Sequence, residues 1–436
     1  MNVAAQDAAT APAITAEPVR FGRKTPIQAL WIASLVSIFG NSLTALAVPW
    51  FVLETTGSAS RTGITAAVTI IPIVIANFFG GALVDRTGYR VLSVFSDLVS
   101  AATVAAIPLL YLTTGLNFAG LLVLMFLGAI FDAPGHTART AMVPPLSKIT
   151  GIPLERINAN FGMIAAASSL FSAPLAGILI AWLGPMNVLW FNAGTFIFSS
   201  LAVLLFVPRI ERPAPSGESF LKDVRSGLAY VRNHALVRTL TLGALAINFL
   251  FAPLFGIAIP FFANQELQSV RALGIMLGGE GFGALAGAYL FGRFGGRLKR
   301  RTFLIAALCF LTAPLFPLAF SSSLWISTGL LVSVGVGSGL VNPMIGTFLQ
   351  LTTPERFMGR VMGLVMAGAM VAQPAGLLLG GLAIALMGFT GFTVLMASLT
   401  CAVALAISIS PALRGLDASE PVDHARAGDD SQHQVS

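Results

Sequence analysis

Apolar residues along this chain gather into long runs separated by short polar breaks. The runs lie at about 28–53, 62–84, 90–113, 117–136, 159–183 and 188–207, and after a polar interval at about 238–262, 270–292, 302–320, 324–350, 359–386 and 389–410. Each is close to the roughly 20 residues that a helix needs to cross a hydrocarbon core. The pattern predicts an all-α, polytopic membrane protein with twelve transmembrane helices. An even number of crossings puts both termini on one side.

Polar segments divide the chain. Residues 1–27 are rich in Ala and Pro and end in Arg20, Arg23 and Lys24, which predicts a disordered cytoplasmic tail. A second such tail is expected at 411–436. The interval 208–237 opens on Pro208, Pro213 and Pro215, breaks at Ser216-Gly217 and offers Ser219 as a helix cap. Phe220, Leu221, Val224, Leu228 and Val231 then recur at helical spacing, opposite Lys222, Asp223, Arg225 and Arg232. That is the pattern of an amphipathic helix on a membrane surface. Two uses fit it: a tether between bundles at 28–207 and 238–410, or a docking surface for a partner.

The two stretches repeat one another. Glu155-Arg156 followed by Pro174 is matched by Glu355-Arg356 followed by Pro374. Ala47-Val48-Pro49-Trp50 is echoed by Ala258-Ile259-Pro260-Phe261. Gly80, Arg86, Gly88 and Arg90 are echoed by Gly287, Arg293, Gly295 and Arg297, with Gly292 where Asp85 would fall. The matches keep their order, so two pseudo-symmetric six-helix halves are expected, with a substrate path between them near the membrane midplane.

Composition agrees with this and excludes several classes. With 56% hydrophobic and 10% charged residues, this is no soluble globular protein. A net charge of +7 could suggest nucleic acid, but the placement of the cations gives it another meaning. The N-tail, alternate loops and C-tail hold all 25 Lys and Arg residues except Arg61 and Arg271. Basic loops stay cytoplasmic. Both termini are therefore expected in the cytoplasm of a cell with the protein in its plasma membrane; the lipid bilayer is its partner and nucleic acid is not. No basic stretch in residues 1–18 leads into an apolar core, so helix 1 is expected to be the insertion signal. Cys309 and Cys401 lie in apolar runs, and His136, His234, His424 and His433 lack ligand spacing, so neither a disulfide framework nor a metal or other cofactor is expected. No Gly-rich loop ends in Gly-Lys-Ser/Thr, so nucleotide hydrolysis is not indicated. A monomer is expected.

The break after the second run carries Gly80-Gly81-Ala82-Leu83-Val84-Asp85-Arg86-Thr87-Gly88-Tyr89-Arg90. Gly80 and Gly81 suit a close helix crossing, and Gly88 can take the positive φ of a tight turn. Asp85 needs a helix N-terminus or a cation to answer it. A charged turn held this way reads as a latch on one face of a bundle.

These residues resemble the major facilitator superfamily. Gly81–Arg90 is similar to that superfamily's signature after helix 2. Phe131-Asp132-Ala133-Pro134-Gly135-His136-Thr137-Ala138-Arg139, continuing to Met142-Val143-Pro144, resembles the helix 4–5 loop of the macrolide-efflux-like branch, as does Thr56-Gly57-Ser58-Ala59 at the end of helix 1. The similarity runs from about residue 28 to 410. It implies secondary-active transport by alternating access, in most members proton-coupled export of drugs and other small amphipathic substrates, in some of siderophores or lysophospholipids. It also implies that Gly81, Asp85, Arg86, Gly88, Arg90, Asp132 and Arg139 form a cytoplasmic gate. Two features depart from the pattern. Helix 4 has no arginine between Leu121 and Ile130, and the helix 5 glycine-proline motif reads Ser172-Ala173-Pro174-Leu175-Ala176-Gly177.

Few residues inside the runs can carry chemistry. Glu280 sits near the middle of helix 8, within Gly278-Gly279-Glu280-Gly281-Phe282-Gly283. An ionised side chain there costs about 3 kcal/mol or more, so it must be protonated, paired or facing a wet cavity. It serves proton coupling or substrate binding, or else hydrogen-bonds a carbonyl at a glycine-thinned crossing. Asp97, two turns into helix 3, is a proton relay or part of the inner latch with Arg86, Arg90 or Arg139. Asn41, Ser42, Thr44, Asn248, Asn342, Gln350 and Gln373 join helices by hydrogen bonds; Asn41 and Asn248 are also candidate substrate contacts, since helices 1 and 7 line the cavity of the family resembled. A membrane enzyme such as a lipid transferase would draw on Asp132 and His136, but no partners for them stand out.

Overall fold

The computed structural model describes residues 22–210, 228–295, 300–353 and 355–411, without the side chains at 77–86, 155, 159, 165, 166, 169, 300, 350, 351 and 355–360. Of the expected tails, residues 1–21 and 412–436 lie outside the described residues, as do 220–227 of the amphipathic segment, Arg297, and the side chains of Gly81, Asp85 and Arg86. The N-tail expected through residue 27 ends sooner, because helix begins at Thr25 and Ile27 is buried.

The chain forms helices α1 Thr25–Thr56, α2 Ala59–Thr87, α3 Tyr89–Thr113, α4 Phe118–Ala141, α5 Val143–Thr150, α6 Leu154–Leu183 and α7 Pro185–Phe206. After the interval come α8 Ala235–Pro253, a π turn Leu254–Ala258, α9 Ile259–Gln265, α10 Val270–Phe294, α11 Arg300–Thr312, α12 Leu315–Leu318, α13 Leu324–Thr352 and α14 Glu355–Ile409. Among the described residues, ten helical stretches are long and apolar enough to cross a membrane. The apolar part of α6 at Leu170–Leu183 adds another, and α14 holds two crossings because the chain turns at Gly388, φ +69°. Twelve crossings result.

Two compact units divide the chain: Met1–Thr55 with Val68–Gly217, and Thr56–Ala67 with Glu218–Ser436. In the first, α3 packs on α4 and α7. Its core joins Ile27, Leu30 and Ala33 of α1 to Leu92, Met142, Leu146, Ile157 and Val203. In the second, α10 packs on α13 and α8 on α14. The α10–α13 seam is closed by glycine. A Cβ at Gly283 would strike the Val332 carbonyl, and one at Gly335 would strike the Glu280 carbonyl. Only hydrogens fit between these backbones.

Two local expectations change. The break after α2 is a single residue: α2 continues through Thr87, and Gly88 alone makes the turn with φ +85°. The stretch Phe131–Pro144, expected as a helix 4–5 loop, is helical, with α4 running to Ala141 and α5 starting at Val143. Helix can persist there because Arg139, which would otherwise seek water, is answered inside the protein. Of the amphipathic segment, 228–233 is helical. Tyr230 anchors this turn, donating its hydroxyl proton to the Thr352 carbonyl at 3.2 Å and stacking on His234.

Candidate functional site

Polar side chains gather in two places, one in each unit. In the first unit α3 delivers Asp97 on the same face as Ser93 and Ser96, all without solvent exposure. From α4, Arg139 donates through Nη1 to both carboxylate oxygens of Asp97, at 2.8 and 2.9 Å. Ser199 of α7 donates to Asp97 Oδ2 at 2.7 Å, and Arg139 Nη2 reaches Ser37 of α1 at 3.4 Å. Four helices thus converge on one ion pair. Nearby, Asn41 Nδ2 donates to Asp132 Oδ2 at 2.9 Å. Thr44 accepts from Asn192 Nδ2 at 2.6 Å, where Gly40 lets α1 approach α7.

In the second unit a cavity of about 310 Å³ opens between α8, α10, α11, α13 and α14. Its polar lining is Asn248, Glu280, Ser338, Asn342 and Gln373, with Phe251 and Phe255 among the apolar groups. Gln373 Nε2 donates to Asn248 Oδ1 at 3.1 Å, and Asn248 Nδ2 donates to the Ala244 carbonyl at 2.9 Å. Glu280 is the one acid among the described lining residues. Its Oε1 lies 3.5 Å from Ser338 Oγ, whose own proton is committed to the Gly335 carbonyl at 2.9 Å. The α10–α13 glycine seam holds that carboxyl at the cavity wall. Acid, amides and rings around a void of this size suit a small amphipathic guest.

The structure brings Asp97 to Arg139, Asn41 to Asp132, and Asn248 to Glu280 across one cavity. Arg90 binds the Leu204 carbonyl of α7. Gly88 makes the α2–α3 turn. Asp132 and His136 are not joined; Asp132 bonds Asn41.

A family model for transmembrane secretion effectors, within the major facilitator superfamily, matches residues 18–433. The chain belongs to this family. The multidrug efflux pump Tap of Mycolicibacterium fortuitum is 32% identical over 367 residues, 82% of this chain and 89% of that protein. Macrolide efflux protein A of Streptococcus pyogenes is 22% identical over 417 residues, 90% of this chain and 98% of its own. Among solved structures, the nucleoside transporter NupG superposes with a TM-score of 0.69 at 10% identity, covering 87% of this chain and 98% of that one. A bacterial homologue of the lysosomal transporter Spinster, inward-facing and unoccupied, gives 0.66 at 14% identity, covering 93% and 96%. Both likenesses concern the fold. Membership makes the protein a multi-pass membrane transporter and not an enzyme, which sets aside the lipid-transferase alternative.

Ser37, Ser199 and Ser338 escaped sequence reasoning. A lone serine in an apolar helix commonly bonds its own preceding turn, so it stands out only when a charge is seen beside it. For Ser338 a faint signal existed, since it precedes Asn342 by one helical turn on the same face.

Proposed function

We propose that the protein is a proton-driven exporter of small amphipathic molecules, acting as a monomer in the plasma membrane by alternating access. The observation that carries this reading is the second-unit cavity, in which Glu280, the one acid among the described lining residues, stands beside the amides of Asn248 and Gln373 and the rings of Phe251 and Phe255. Glu280 takes and releases the driving proton. The amides and rings hold the guest. The printed names of the relatives, multidrug efflux pump and macrolide efflux protein, support export of drug-like compounds. The bias of Lys and Arg supports cytoplasmic termini, flanking bundles at 28–207 and 238–410 that the segment 208–237 joins.

The stretch Gly81, Asp85, Arg86, Gly88 and Arg90 serves as the cytoplasmic gate, with Asp97, Asp132 and Arg139 bracing the helices beside it. The one-residue turn at Gly88 supports this, since it couples α2 rigidly to α3.

The test is a susceptibility panel in an efflux-deficient bacterial host expressing the chain, with and without a protonophore, over macrolides, tetracyclines and cationic dyes. Protection that the protonophore removes, with lower accumulation of the same compound, is the expected result. No protection despite protein in the membrane would overturn drug export and favour a dedicated metabolite, siderophore or lipid carrier.

A further inference from the structure

A break in regular helix lies beside the second-unit cavity. α8 ends at Pro253, and the next five residues, Leu254–Ala258, form a π turn closed by the Ile259 N–H on the Leu254 carbonyl. Pro260 has no N–H to offer the Gly256 carbonyl four residues before it, so the α pattern of bonding fails here. A π turn encloses one residue more than an α turn, and such turns occur mostly singly and often at functional sites.

The turn meets two different neighbours. Phe255, with Phe251 and Ala252 just before it, lines the cavity, and the two rings lie 6.1 Å apart. Ile257, two residues on, has no solvent exposure and seats on Gly63 in the first turns of α2. A Cβ on Gly63 would lie 2.8 Å from Ile257 Cδ1, 2.7 Å from the Leu377 carbonyl oxygen and 3.2 Å from Gly381 Cα. One on Gly256 would meet Leu377 Cδ2 at 2.8 Å. Ser60 adds a hydrogen bond, donating to the Gly381 carbonyl at 3.3 Å. All these contacts are internal to the second unit, to which Thr56–Ala67 belongs although the rest of α2 belongs to the first.

We infer that the π turn is a relay between the cavity and the contact of α2 with α14, and that Ile257 is its positioning residue. Bulk entering the cavity presses on Phe255. The turn cannot yield on its other side, because Gly63 already stands against the backbone of Leu377 and Gly381. The α2–α14 contact therefore parts. With the termini cytoplasmic, as proposed above, this contact lies at the outer end of α2. The inference thus deepens the alternating-access reading, on which its role in transport rests: a guest in the cavity frees the outer end of α2. By reciprocity, prying the contact apart loosens the turn.

The test needs no guest, gradient or export, so its failure is separable from failure of drug export. Ala252→Phe puts a ring permanently into the cavity wall. In full-length protein in lipid, with Cys309 and Cys401 replaced by serine, Ser60→Cys reports the contact through its rate of labelling by a membrane-impermeant maleimide. Ala252→Phe is expected to raise that rate about fivefold or more, the lower end of ordinary coupling between sites. Ile257→Val is expected to keep this response. Ile257→Ala is expected to raise the starting rate and to cancel the response, which a merely structural role would not do. Hydrogen exchange of the chain carrying only Gly63→Ala reads the reverse direction: residues 251–259 are expected to exchange faster than in the wild type, while Gly346→Ala, whose added Cβ meets nothing, leaves them unchanged. Should Ala252→Phe fail to fold, the Gly63→Ala exchange decides alone. The inference is overturned if folded Ala252→Phe leaves the labelling rate unchanged, if the response survives in full with Ile257→Ala, or if Gly63→Ala leaves exchange at 251–259 as in the wild type.

Discussion

Arg139 Nη1 lies 2.8 Å from one oxygen of Asp97 and 2.9 Å from the other, with both side chains almost wholly removed from solvent. The pair joins α3 to α4 across 42 residues of sequence. Such a pair contributes little net stability compared with apolar packing, yet losing one partner strands the other charge. Arg139→Ala is therefore expected to destabilise the protein by about 3–5 kcal/mol. Changing both members, Asp97→Asn with Arg139→Gln, is expected to restore a large part of the loss. Thermal unfolding of the purified protein in detergent measures both. An unchanged melting temperature in Arg139→Ala would contradict the bracing role of the pair.

Glu280→Gln keeps the shape and most of the hydrogen bonding of the side chain but cannot exchange a proton. With Glu280 as coupling group, uphill export driven by a pH gradient is expected to vanish, while exchange of labelled for unlabelled substrate across vesicles continues. The pH dependence of export is lost with it. Gradient-driven export at wild-type rates in reconstituted vesicles would remove Glu280 from the coupling step.

Much of the architecture was legible because it depends on run length. Twelve apolar stretches of bilayer-crossing length can hardly be arranged otherwise, and the single residue Gly88 marked the α2–α3 turn through its tolerance of positive φ. The end of α4 was harder to read. The motif around Arg139 resembled a loop, and Arg139 was one of three candidate partners for Asp97; the choice among them needed the packing of α3 on α4. Glu280 and Asn248 were readable as polar groups at membrane depth. Their shared cavity was not, since it depends on how α8, α10, α13 and α14 pack.

Asn248 and Gln373 bond each other at 3.1 Å while facing the cavity, so each presents remaining amide groups to a guest. Gln373→Ala is expected to raise the KM for export several-fold, with about 1 kcal/mol lost per hydrogen bond, and to leave the maximal rate near wild type. Concentration-dependent uptake into inverted vesicles separates the two constants. A fallen maximal rate with unchanged KM would move Gln373 from guest binding to conformational change.

The α10–α13 seam makes the sharpest stability contrast. A methyl group at Gly283 has to displace the Val332 backbone, and one at Gly335 has to displace the Glu280 backbone, so the helices must separate by more than a side-chain adjustment. Overpacking of this kind costs about 1–3 kcal/mol or more. Gly329 and Gly346 lie on the same helix as Gly335 with no neighbouring atom within 4 Å of an added Cβ. Alanine there meets nothing and removes a flexible residue from a helix, which is neutral or stabilising by up to about 1 kcal/mol. Melting temperatures of the four single variants, measured side by side in one detergent, should fall into two groups. Gly335→Ala should also impair coupling, because the backbone it pushes aside carries Glu280. Equal melting temperatures for Gly335→Ala and Gly346→Ala would mean that the seam is not in close contact, and the account of how Glu280 is held at the cavity wall would fail with it.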